Sequence, residues 1–87
     1  MVSKKIKVNC PIGLQVKPAG MICNEAVKYK SKVTFDYADG NANAKSMLNI
    51  LGAAIRHEDE IVLICEGEDE QEALDAVAHL LEEGLVG

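Results

Sequence analysis

Two hydrophobic periods alternate along this chain, and that alternation restricts its fold more than any other feature. Lys5-Ile6-Lys7-Val8-Asn9 and Lys32-Val33-Thr34-Phe35-Asp36-Tyr37 switch polar and apolar residues one by one, as half-buried strands do. Glu60-Ile61-Val62-Leu63-Ile64-Cys65-Glu66 reads as a further strand. Between the first two, Ala19, Ile22, Cys23, Ala26 and Val27 recur at helical spacing on one face. Pro18 suits the first turn of that helix, where a missing N–H costs nothing. Asp39-Gly40 is a hairpin signal, leading into a short strand through Asn41–Ala44. Ser46 to Gly52 reads as a very short helix, with Ser46 as its N-cap and Gly52 as its stop. A last helix starts near Asp69, where Asp69-x-x-Glu72 resembles a capping box and Glu68 and Glu70 suit the positive helix end. Ala73, Leu74, Val77, Leu80 and Leu81 make its apolar face, and Gly84 ends it.

The order is therefore β-α-β-β-α-β-α. One-faced strands and one-striped helices bury both surfaces when the helices stack on one side of a sheet. The expectation is an α+β, open-faced sandwich: a four-stranded antiparallel sheet with three helices on one face. Phe35, Ile22, Val77, Leu74, Ile61 and Leu63 should lie mostly inside, in a single domain over residues 1–87.

Composition narrows the chemistry. With 48% hydrophobic residues, no Trp and one Phe, the core has to be aliphatic. No apolar run approaches the ~20 residues that span a membrane, and Met1-Val2-Ser3-Lys4-Lys5 enters a strand pattern directly, so no signal peptide is expected. Cys10, Cys23 and Cys65 are odd in number and widely spaced, which suits reduced thiols and a cytoplasmic location. They lack a Cys-x-x-Cys pair, and His57 and His79 lack partners at ligand spacing, so neither a metal nor another cofactor is expected. Residues 1–45 hold eight of the nine Lys and Arg, and residues 46–87 hold eleven of the fourteen Asp and Glu. The net charge of −5 argues against direct binding of nucleic acid, while the uneven spread permits a positive and a negative face for docking a protein.

The stretch Gly13-Leu14-Gln15-Val16-Lys17-Pro18-Ala19 places a polar residue in a Gly-flanked turn ahead of a helix. Together with Asn43-Ala44-Lys45-Ser46, the element order and the Gly67-Glu68-Asp69 helix start, it resembles the HPr family, the histidine-containing phosphocarriers of the bacterial phosphoenolpyruvate:sugar phosphotransferase system. The resemblance runs along essentially the whole chain. In that family the first motif carries a phosphorylatable histidine followed two positions later by an arginine; here the two positions hold Gln15 and Lys17. Gly13-Leu14-Gln15 and the stretch from Gly67 to Leu74 resemble the Crh-like, catabolite-repression branch, which also has glutamine there; Lys17 departs from both patterns.

A phosphoryl relay needs a nucleophilic lone pair, which neutral imidazole supplies near pH 7. The amide nitrogen of Gln15 has its lone pair delocalised into the carbonyl, so catalytic phosphoryl transfer is not expected. His57, in a loop, and His79, on the polar side of the last helix, read as exposed surface residues rather than substitutes. The resemblance implies instead a regulatory binding module, not an enzyme, phosphorylated at Ser46 by HPr kinase/phosphorylase. Its phosphorylated form would act as corepressor for a LacI-type catabolite control repressor. Gln15, Lys17, Lys45, Ser46, Met47, Leu48 and Leu51 are the expected partner contacts. Met47 and Leu51, one turn apart, would form an exposed apolar patch. Two other readings stay open: a phosphocarrier-like component that binds enzyme I without turnover, and an adapter that binds a metabolic enzyme.

Overall fold

Alternation becomes a sheet in which one face is greasy and the other wet. A computed structural model describes residues 1–84 of the chain, with strands β1 (Val2–Lys7), β2 (Lys32–Tyr37), β3 (Gly40–Asn43) and β4 (Glu60–Glu66). They form one antiparallel sheet of order β1-β4-β2-β3. The register sets Ile6 against Ile61, Val33 against Cys65, and Phe35 against both Leu63 and Ala42, all of them buried. Shifting any strand by one residue would turn these side chains to water.

Helices α1 (Val16–Ala26), α2 (Met47–Ala53) and α3 (Glu70–Glu83) cover that apolar face. α3 lies on β1 and β4, α1 packs on α2 and α3, and α2 on β3. Ile22, Ile50, Val77 and Leu81 are almost wholly buried. Each such side chain gains roughly 1.5–3 kcal/mol from leaving water. That burial holds α2, because a helix of seven residues does not form by propensity alone.

Four local expectations are corrected. Val27 is 55% exposed rather than on the apolar face of α1: the helix ends at Ala26, and the Val27 N–H caps it on the Cys23 carbonyl. Leu80 is half-buried, its place on the inner face of α3 being taken by Ala78. Gly52 lies inside α2; the stop is Ala54, in the left-handed region at φ 52°. Asp69 stands at the N-cap position of α3 but forms no capping box. Its carboxylate instead accepts the N–H groups of Lys30 and Ser31, each at 2.9 Å, and the Ser31 hydroxyl. The Glu70 carboxylate takes the Gly67 N–H at 3.1 Å in its place. Gly67 is required there: a Cβ would lie 2.7 Å from the Ser31 Cα.

The two charged halves of the sequence also do not become two faces. Lys4 pairs with Glu82 at 2.8 Å, Lys30 with Glu68 at 3.2 Å and Lys5 with Glu60 at 3.6 Å, because β1 and the α1–β2 connection lie beside β4 and α3. Three of the eight early lysines are thereby set against late acids.

Candidate functional site

The Gln15 turn is built by fixing everything around Gln15 except its side chain. After β1 the chain is tied down by the Val8 N–H on the Asp59 carbonyl and the Asn9 N–H on the Leu81 carbonyl. Gly13 closes a tight turn onto the Cys10 carbonyl at 2.8 Å, with φ +76°. A Cβ at Gly13 would meet the Ile55 carbonyl oxygen at 2.9 Å, so only glycine lets the two segments approach this closely. The Leu14 N–H then bonds that same carbonyl at 2.9 Å, and the Leu14 side chain is buried. Gln15 follows as the extended N-cap of α1, exposed, with no capping hydrogen bond from its side chain. The backbone N–H groups of Val16 and Lys17 have no acceptor within the helix, as in any helix first turn, and Pro18 has none to satisfy. Lys17 is exposed and forms no ion pair among the described residues.

Ser46 occupies the N-cap of α2. Its Oγ accepts the Asn49 N–H at 3.3 Å and the Asn49 side-chain amide at 3.2 Å, so the cap read from the sequence is present. The preceding residue anchors the connection, with Lys45 Nζ donating to the Tyr29 carbonyl at 2.6 Å and the Cys23 thiol donating to the Lys45 carbonyl at 3.3 Å. Lys45 thus serves partly to tie β3 and α2 to the end of α1. The apolar patch differs from expectation: Met47 and Leu51 are half-buried against the core, while Leu48 is 82% exposed. A seven-residue helix lying on β3 buries Ile50 and Ala53, half-buries Met47 and Leu51, and leaves Leu48 as its one large apolar side chain in water.

Gln15 and Leu51 face a common cleft of about 720 Å³, bounded by Pro11–Val16 on one side and by Leu51 and Ala54–His57 on the other. Ser46 and Lys45 lie outside it. His57, expected as an ordinary loop residue, is exposed but belongs to this cleft, and its Nδ1 accepts the Cys10 N–H at 3.1 Å. That bond leaves the imidazole without a nucleophilic lone pair: Nδ1 is engaged, and Nε2 carries the proton in the neutral ring. Arg56, Ile12 and Val16 complete the cleft and were not singled out by the sequence, whose motifs do not say which loops will meet. His79 is exposed on α3. Among the described residues no cluster of His, Cys, Asp or Glu is arranged to hold a metal, and no helix is long and apolar enough to cross a membrane. Chemically, the site can donate hydrogen bonds and offer positive charge, and it has no nucleophile poised for phosphoryl transfer.

Residues 2–83 match the family model described as the PTS HPr component phosphorylation site. The chain is 37% identical over 83 residues to the HPr-like protein Crh of Bacillus subtilis, covering 95% of this chain and 98% of that one. It is 39% identical over 86 residues to the phosphocarrier protein HPr of Mycoplasma pneumoniae, with the same two coverages, 95% and 98%. Among solved structures, HPr-C-His from Thermoanaerobacter tengcongensis superposes with a TM-score of 0.89 at 28% identity, over 93% of this chain and 91% of that one.

Proposed function

Since the chain belongs to the HPr family, whose members are phosphocarriers or regulators and not enzymes, we propose that it is a regulatory phosphoprotein switched at Ser46. Gln15 carries this reading. It stands in an intact helix-start turn where the family has its phosphorylatable histidine, so the shape of the site persists without the reacting group. The likeness to relatives named Crh supports a regulatory role over a carrier role.

HPr kinase/phosphorylase is the proposed modifying enzyme and a LacI-type catabolite control repressor the proposed partner, with the chain acting as corepressor in the cytoplasm. Ser46 is half-exposed at a helix start, where a phosphate of about −1.5 to −2 charge meets backbone N–H groups and the favourable dipole end. Leu48 offers an apolar contact beside it, flanked by Met47 and Leu51, while Lys17, Lys45 and Gln15 supply polar contacts. A second reading, docking to enzyme I without turnover, is favoured by Ile12 and Val16, which are 48% and 68% exposed beside Gln15.

Calorimetric titration of the repressor with unmodified and Ser46-phosphorylated chain tests the proposal. Phosphorylation should tighten binding at least about tenfold, or 1.4 kcal/mol, and Ser46→Ala should take up no phosphate. Leu48→Glu should weaken the complex while leaving phosphate uptake intact. Equal affinities for the two forms would overturn the switch, since a modification without differential binding shifts no equilibrium.

A further inference from the structure

The cleft beside Gln15 has a lining unlike the rest of the surface. Among the described residues no Asp or Glu lines it, in a chain with fourteen of them. The adjoining cavity, which shares Arg56, includes Asp39, Asp59 and Glu60. Each polar side chain of the cleft carries at least one donor group. Among the described residues Arg56 forms no ion pair and the Gln15 side chain makes no capping hydrogen bond. His57 is oriented by the Cys10 N–H on its Nδ1, which puts the ring's N–H at Nε2. The walls are fixed rather than floppy: Ile55 is buried and receives the Leu14 N–H, and the Arg56 N–H bonds the Asp59 carboxylate at 2.9 Å. The remaining lining is aliphatic, chiefly Ile12, Val16 and Leu51.

The open cleft of about 720 Å³ combines aliphatic walls with a few polar donors, the mixed lining of small-molecule sites. We infer that the cleft reversibly binds a small amphiphilic anion, a short-chain carboxylate or phosphate ester. Its acid group sits on Arg56 and His57, and its hydrocarbon portion lies against Ile12, Val16 and Leu51. Arginine presents a planar pair of donors to either acid group, and the His57 N–H adds a third. Binding uses neither Ser46 nor a phosphorylated chain, so the inference stands apart from the proposed switch.

The test is titration of the unmodified, ¹⁵N-labelled chain at neutral pH, with no kinase or repressor present. Pentanoate and butyl phosphate are the probes, with the neutral pentanamide and inorganic phosphate as controls. At least one probe should cause saturable shifts of the Val16, Ile55, Arg56 and His57 amides below about 50 mM, a range suited to ligands of so few atoms. Whichever probe binds reports the acid group preferred. Pentanamide and inorganic phosphate should each bind at least about tenfold more weakly, the first lacking the charge and the second the hydrocarbon. Arg56→Met should cost about tenfold as well. His57→Asn, which keeps an acceptor for the Cys10 N–H but loses the Nε2 donor, should weaken binding several-fold in a chain whose other amides are unmoved. Absence of saturable shifts, equal binding of pentanamide, or unchanged binding by the Arg56 variant would each overturn the inference. So would an effect confined to an acidic peptide from a protein partner.

Discussion

Gln15 and Asp69 show how much one side chain can decide. At Gln15 the amide's delocalised lone pair removes a reaction while the surrounding turn is kept. With phosphoenolpyruvate and enzyme I, the unmodified chain should therefore yield no acid-labile phosphoprotein. Gln15→His should restore phosphorylation at a slow rate, because Lys17 offers a point charge where an arginine would offer a fork. Mass spectrometry at neutral pH checks both, and a phosphohistidine on the unmodified chain would contradict the role given to Gln15. At Asp69 the Ser31 hydroxyl, then the Lys30 N–H, with a further contribution from the Ser31 N–H, hold the carboxyl well below its ordinary value, at about 2. A lowered acid contributes stability above its unfolded-state pKa and loses it as pH falls through the folded value. The advantage of the native chain over Asp69→Asn should be full above about pH 4 and fade between about pH 4 and 2. Urea unfolding at several pH values measures it; a difference that does not change across that window would rule out the charged carboxylate as the stabilising form.

Helices and turns set the next scale, where two glycines have opposite meanings. Gly67 lies so close to Ser31 that a methyl group would strike the Ser31 Cα at 2.7 Å, and backbone cannot yield as a side-chain tip can. Gly67→Ala should destabilise by about 1–3 kcal/mol, the range for overpacking. Gly20 lies inside α1 with a helical backbone, and a Cβ there would meet nothing within 4 Å. Gly20→Ala should stabilise by about 0.4–1 kcal/mol through the unfolded chain's lost freedom. Thermal melts of the two variants separate these effects by sign. Ala54 and Glu58 make the same point from the other side, since both hold positive φ without being glycine. The α2–β4 connection that contains them is held by the Ala54 N–H on the Leu51 carbonyl and the Glu58 N–H on the Val8 carbonyl.

At the scale of the whole molecule, burial governs reactivity. Cys10 and Cys65 are fully inside, and burial first, then Glu70 and Asp69, push the Cys65 thiol up to about 11. Cys23 is half-buried on α1. Thiolates are the reactive form, so a thiol-exchange reagent at neutral pH should modify at most Cys23 promptly in the native chain, and all three thiols after unfolding. Two fast thiols in the native state would contradict the packing of β4 under α3. The ion pairs linking early lysines to late acids are exposed, and pairs of that kind contribute little individually. Near Gln15, the side chains of Lys17 and Arg56 form no ion pair among the described residues.

The sequence by itself determined the order and faces of the elements, because periods of 2 and 3.6 are written in consecutive residues and report directly which side chains must leave water. It also determined the Ser46 cap, a contact spanning three residues, and the amide in place of an imidazole at Gln15, a property of one functional group. Only the tertiary structure decided where Asp69 spends its carboxylate, since the rival to its own helix was a pair of N–H groups 38 and 39 residues away. The burial of Met47 and Leu51 beside an exposed Leu48 was likewise fixed by how α2 settles on β3. The cleft that joins Gln15 to Arg56 and His57 belongs to the same class: it exists because Gly13 admits the Ile55 carbonyl, a close approach between segments far apart in the chain that no local pattern encodes.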